Sequence, residues 1–265
     1  MIRRIYISLA NRSMQETAAN RTSFVLNICA SFLIILSSYY LWKAIFADRN
    51  QLGGFSWEEM KAYLLISFLS NTILSYFSEI KISGKILDGS IAFDLLKPLD
   101  FQKARLAETV GASIFEGLVS TVLAFLILFL YEGIAIPKSP LTWVFFITSF
   151  ILSQIVKYGI VYVFSLFCFW TSGHLGVALA RAAVTNLFSG SLIPLSYFPS
   201  TLQYISELLP FSSIVHYPVS IFLERINITG TMGIIGLQFF WAIVLWFFGK
   251  WFWTKAVKKI TINGG

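Results

Sequence analysis

Residues Lys81 to Glu108 read KISGKILDGSIAFDLLKPLDFQKARLAE, five basic and four acidic residues set between two long apolar runs. A stretch this polar does not lie in hydrocarbon, where charges and unpaired backbone groups are costly. Its Lys81, Lys85, Lys97, Lys103 and Arg105 assign it to the cytoplasmic side, because Lys and Arg accumulate in cytoplasmic loops. Gly84 and Gly89 flank an apolar/polar pattern, and Pro98 stops any helix running through Phe93, Leu95 and Leu96. The predicted shape is one or two short amphipathic helices along the inner face of a membrane. Such an element is either an idle solvated loop or a docking surface for a cytoplasmic partner, and the flanking chain decides between them.

Outward from this stretch the composition is that of an integral membrane protein. Of 265 residues 57% are hydrophobic and 12% charged, against about 25% charged in a soluble domain, and the mean hydropathy is +0.74. Apolar runs of about 20 residues use most of the length, so residues 1–265 read as one all-α polytopic transmembrane domain with no room for a soluble core. The net charge of +7 gathers beside the apolar runs, so it reports orientation and contact with an anionic lipid bilayer and not nucleic acid. Cys29 and Cys168 fall inside apolar runs and read as packing residues. The first apolar run starts near Phe24, is too long for a signal h-region and has no A-x-A-like end, so it reads as a retained span.

Six spans are expected: Phe24–Phe46, Lys61–Ser78, Thr109–Tyr131, Leu141–Trp170, Leu175–Pro194 and Gly230–Trp253. Residues 1–21 place Ile2, Ile5, Tyr6 and Leu9 at helical spacing with arginines elsewhere, which predicts an amphipathic interface helix. Ser56 to Glu59 reads as a capping box, and Thr171–His174 as a tight cytoplasmic turn. Residues 195–228 are apolar yet broken by Pro199, Pro210 and Pro218, so short re-entrant helices on the outer side are expected. Alternation puts both termini in the cytoplasm. Arg3, Arg4, Arg12, Arg21, the basic residues of the polar stretch, Arg181, Lys250, Lys255, Lys258 and Lys259 then lie inside. Only Lys43, Arg49, Lys61, Lys138 and Arg225 lie outside, and the bias supports the orientation. No internal repeat is visible, which weighs against an inverted-repeat carrier.

No catalytic signature is present. There is no G-x-x-x-x-G-K-[ST], so the chain binds no ATP through a P-loop of its own, and His174 and His216 have no metal-spaced companions. Glu116 and Lys157 stand out as ionisable groups within spans. Helical rise puts them at similar depth, open to three readings: a structural ion pair, a Lys157 that snorkels inward, or a place in a substrate path. Asn71 and Gln154 add polarity at that depth. In the fifth span Ala178, Ala182, Asn186 and Gly190 recur every four residues, a stripe that lets another backbone approach.

The segment Gly190-Ser191-Leu192-Ile193-Pro194-Leu195-Ser196-Tyr197-Phe198-Pro199, continuing through Leu202, Ile205, Leu208-Leu209-Pro210-Phe211 and Pro218, resembles the closing region of ABC-2 type transporter permeases. Gly89 to Leu99 (GSIAFDLLKPL) looks like the cytoplasmic motif of one branch of that family. The resemblance implies the membrane subunit of an ATP-binding cassette exporter in a bacterial inner membrane. Two such subunits, copies or relatives, would pair with two ATPase subunits that carry ATP and Mg, so this chain is no enzyme and binds no cofactor. It also implies that the N-terminal helix and the polar stretch, through Asp88, Ile91, Phe93, Asp94, Leu95, Leu96, Lys97 and Pro98, meet the ATPase. Spans two and five, carrying Asn71, Ala182, Asn186 and Gly190, would line the path of an amphipathic or hydrophobic substrate between the paired subunits. The alternative from another class is a non-ABC membrane scaffold, or a secondary transporter worked by Glu116 and Lys157.

Overall fold

The computed structural model describes residues 2–74, 77–130, 133–171 and 173–259. The expected end of the third span at Tyr131 and Ser172 of the expected turn lie outside them. The chain is an all-helical membrane protein: α1 (Ile2–Ala19), α2 (Arg21–Ile45), a small hairpin, α3 (Trp57–Thr72), α4 (Phe77–Leu87), α5 (Ile91–Leu95), α6 (Phe101–Leu130), α7 (Pro140–Leu166), α8 (His174–Phe188), α9 (Ser200–Leu208), α10 (His216–Phe222) and α11 (Ile228–Ala256). Among the described residues, four stretches are long and apolar enough to cross a membrane: Ile28–Ile45, Phe101–Ala124, Pro140–Phe169 and Ile228–Lys259.

Local chemistry accounts for several boundaries. The Ser56 hydroxyl accepts from the Glu59 amide and the Glu59 carboxylate accepts from the Ser56 amide, so the capping box opens α3 as its spacing predicts. Gly53 and Gly54, both with positive φ, turn the hairpin of β1 (Gln51–Leu52) and β2 (Phe55–Ser56). The proline-broken stretch after α8 forms 3-10 turns at Leu195–Tyr197 and Pro210–Ser213 around α9 and α10.

Three expected boundaries move. The second span is not one helix: α3 stops at Thr72 and α4 restarts at Phe77 and runs on to Leu87, into the polar stretch. The helix of the expected third span, α6, begins at Phe101 and not Thr109, because Gln102, Arg105 and Glu108 are all buried in contacts that a solvated loop would not offer. The helix of the expected fifth span, α8, ends at Phe188, short of Pro194, and just beyond it Gly190 takes a left-handed φ of 81° that ends helical geometry.

The α7 helix is central, touching α3, α4, α8, α10 and α11. Gln238 of α11 donates to the Ser149 carbonyl, Gly159 faces Leu245, and Tyr162 faces Gly249. These pairings advance together along both chains, so α7 and α11 run parallel. Closeness comes from missing side chains: a Cβ at Gly159 would lie 2.7 Å from Leu245 Cβ. One buried cluster joins Phe55 of the hairpin and Met60 and Tyr63 of α3 to Val156, Ile160 and Phe222, and a second joins Ile73, Ile82, Ile91 and Phe101 to Tyr158, Tyr162 and Leu166. The outward face of α11, with Phe239, Phe240, Phe247 and Trp251 exposed, forms an apolar surface suited to lipid and not to water. The α1 helix lies along α6 at Gly111, where a Cβ would fall 1.9 Å from the Ala10 carbonyl oxygen.

Candidate transport and docking site

The centre of the site is the interruption between α3 and α4. Ile73 is extended, with φ −73° and ψ 134°, and Leu74 is left-handed at φ 62°, a geometry costing a non-glycine residue roughly 1–2 kcal/mol. A helix ending here orphans the last carbonyls of α3 and the first amides beyond it, which lipid cannot satisfy. Lys157 of α7 satisfies the carbonyls: its Nζ donates to Ser70 O at 2.6 Å, Asn71 O at 3.2 Å and Ile73 O at 2.6 Å. Glu116 of α6 satisfies an amide, its Oε2 accepting from Leu74 N at 2.9 Å. A cation therefore sits at the negative end of α3 and an anion at a freed amide, the arrangement the helix dipole favours. The two charges meet at one break from two helices, and no ion pair joins them to each other. Unwound backbone at this depth persists because it is enclosed in protein.

Beside the break an open cleft of about 270 Å³ lies between α2, α3 and α8. Asn71, Ala182 and Asn186 line it together, as do Lys157, Arg181, Ser67 and Thr185. Gly190 lies apart at the end of α8, where its carbonyl accepts from the Tyr63 hydroxyl at 2.5 Å and a Cβ would sit 2.7 Å from that oxygen. The stripe is thus divided: Ala182 and Asn186 face the cleft, and Gly190 makes a contact within the chain. At the cleft's other end Arg181 binds Glu79 of α4 through two parallel hydrogen bonds of 2.8 and 2.7 Å, tying α8 to the helix beyond the break.

That helix leads into an elbow formed by the end of α4, the short α5 and the start of α6. Asp94 of α5 is buried and binds Lys85 at 2.6 Å, Lys97 at 2.6 Å and Arg105 at 3.4 Å. Arg105 pairs with Glu108 at 2.8 Å, Glu108 with Lys81 at 3.4 Å, and Lys81 with Glu16 of α1 at 2.8 Å. Burial alone would push the Asp94 carboxyl up, but the Lys85 and Lys97 hydrogen bonds and the Arg105 charge outweigh it and hold the group below its ordinary range. Ile91 is 1% exposed and packs inward. With Ile91 and Asp94 as anchors, Phe93 (70% exposed), Leu95 (46%) and Leu96 (82%) are held outward. Asp88, Lys97 and Pro98 are exposed beside them. Of the residues expected to dock a partner, then, Ile91 and Asp94 brace the tip and the others form its surface.

Sequence reasoning passed over Ser67, Thr185, Gly111 and Glu79. A Ser or Thr inside an apolar helix signals nothing by itself, and Gly111 needed Ala10 in view. Glu79 falls one residue past the expected end of the second span, where a charge reads as an ordinary interfacial one.

An all-helical membrane protein with a polar cleft and a broken helix leading to an apolar-tipped, charge-braced elbow is built as a membrane transport component. The chain belongs to the ABC-2 family transporter proteins, whose family profile matches residues 32–264. Membership implies an ATPase subunit as partner. A further similarity, 28% identity over 104 residues, is to Ethylene-insensitive protein 2.1 of Populus trichocarpa. It covers 38% of this chain and 7% of that protein, so the chain spans a small fraction of that relative's length.

Proposed function

We propose that the chain is the permease subunit of an ATP-driven exporter in a bacterial inner membrane. It moves an amphipathic or hydrophobic molecule from the cytoplasm or inner leaflet by alternating access between two membrane subunits, this one and a copy or relative. In this reading the chain crosses six times, through α2, α3 with α4, α6, α7, α8 and α11, with both termini cytoplasmic and residues 195–228 re-entrant on the outer side. Two ATPase subunits hold ATP and Mg and engage α1 and the elbow.

The observation that carries the reading is the elbow tip. Phe93, Leu95 and Leu96 stand exposed on a five-residue helix locked by ion pairs. An apolar knob on a rigid base fits a groove on a soluble partner, and it is joined through α4 to the break and through Arg181 to the cleft. Lys157 and Glu116, which a secondary carrier would have to use, are engaged with backbone, so the geometry lends that alternative no support.

The test is Phe93→Asp with Leu95→Asp in the permease co-expressed with its ATPase. Insertion and expression persist while transport falls at least tenfold. Unchanged transport in that variant removes the docking assignment.

A further inference from the structure

The wall chemistry of the cleft goes beyond a generic path. Ser67 of α3 and Thr185 of α8 line it, each 5% exposed, and neither hydroxyl oxygen has a hydrogen-bond partner. Some helical hydroxyls in this chain satisfy themselves on the carbonyl four residues back, Thr72 on Phe68, Thr148 on Val144 and Ser165 on Val161, while Ser70, Ser120 and Ser149 are, like Ser67 and Thr185, without a partner. Of the unpartnered hydroxyls, those of Ser67 and Thr185 belong to residues that line the cleft, so theirs are the unused donors and acceptors nearest to anything bound there.

Charge narrows what that something is. Both cations lining the cleft are committed, Lys157 to three carbonyls and Arg181 to the Glu79 carboxylate. Among the residues lining it there is no Asp or Glu. An ionised head group of either sign would leave water for a low-dielectric site without a free counter-charge. Hydroxyls and the amides of Asn71 and Asn186 instead match groups that both donate and accept without charge. On the α2 side Ile34, 66% exposed, and Ile35 offer apolar surface between Ser31 and Ser38.

We infer that the cleft holds the head group of an uncharged, hydroxyl- or amide-rich amphiphile, with its chain along Ile34 and Ile35 of α2 and its polar end toward Ser67 and Thr185. That this molecule is the transported one rests on the exporter reading; the binding itself does not.

The test uses the full chain in lipid nanodiscs, carrying Cys29→Ser and Leu192→Cys. Cys29 is exposed and Cys168 buried, so an uncharged maleimide then reports on the cleft rim. Three probes share a dodecyl chain: dodecyl maltoside, dodecyltrimethylammonium and dodecyl phosphate. Dodecyl maltoside slows labelling in a saturable manner. Ser67→Ala and Thr185→Val each raise the half-protecting concentration by roughly three- to tenfold, as expected for one lost hydrogen bond. The two charged probes protect at least tenfold more weakly. Equal or better protection by the ammonium or the phosphate overturns the inference, as does protection by none of the three or protection indifferent to both substitutions. Labelling needs no ATPase, so this result is independent of the Phe93 and Leu95 test.

Discussion

Lys157 spends its three protons on one helix end, and that makes it a cap in a place where caps are rarely ionic. Replacing it by Met removes all three hydrogen bonds and leaves buried carbonyls with no water to turn to. The expected loss is about 3–5 kcal/mol, the range for stranding buried charged or polar partners. Glu116→Gln keeps an oxygen that can still accept from Leu74 N, so it should cost about 1 kcal/mol. Unfolding titrations of the purified chain in mixed micelles measure both. Equal losses, or a Lys157→Met chain as stable as the parent, would show that the break holds itself open without the lysine. The sequence pointed to these two residues because a charge within a span needs a reason. It left a pair, a snorkelling lysine and a substrate path open, because depth counting sees only helices and not their ends. The stretch Ser70-Asn71-Thr72-Ile73-Leu74 holds no glycine or proline to announce that a helix stops there.

Two helical glycines separate packing from propensity. At Gly111 an added Cβ meets Ala10 backbone at 1.9 Å, and backbone does not move aside, whereas at Gly84 of α4 nothing lies within 4 Å. Gly111→Ala should therefore lift α1 from α6, seen as faster amide exchange throughout Ile2–Ala19. Gly84→Ala should leave exchange unchanged or stabilise α4 by up to about 1 kcal/mol. Undisturbed α1 exchange in Gly111→Ala would mean that the two helices are not held at that contact. The elbow makes a prediction about pH. Because the folded Asp94 carboxyl is held below its ordinary range, its pairing is fully present above the unfolded value of about 3.9 and is lost only as pH falls through the lower folded value. Protease nicking near Asp88 to Leu99 should stay constant from pH 8 to about 5 and rise only in stronger acid, while Asp94→Asn should be nicked at neutral pH. Nicking of the parent that already climbs between pH 7 and 5 would show that Asp94 is not the brace. Some of this architecture was legible: the α3 capping box, the amphipathic α1 and the proline-broken segment each have a local cause in adjacent residues. The network through Asp94, Arg105, Glu108, Lys81 and Glu16 was not, because it joins four elements, α1, α4, α5 and α6, whose charges look ordinary and solvated when read in a line.

Across the molecule, one path connects the elbow to the cleft. The elbow is fixed to α4 by Lys85–Asp94, α4 is freed from α3 by the break at Ile73 and Leu74, and α4 is fixed to α8 by the fork between Glu79 and Arg181. On the exporter reading, a push on the tip would tilt α4 about the break, and α8 would follow through the fork, changing the cleft wall that carries Thr185. On the exporter reading, the fork is the transmission and the break is the hinge. Arg181→Lys keeps the charge but loses the planar fork, so it should leave ATPase association and basal hydrolysis near the parent's while transport per ATP falls severalfold. Glu79→Gln should be worse, because it strands a mostly buried guanidinium. Pairing it with Arg181→Gln should restore stability, because neither side is then left charged alone, yet leave transport per ATP low, because the mechanical link is still missing. Stability and coupling are thereby read separately in the same set of variants. If transport per ATP recovers along with stability in the double variant, the fork is only a structural ion pair, and motion reaches the cleft by another route.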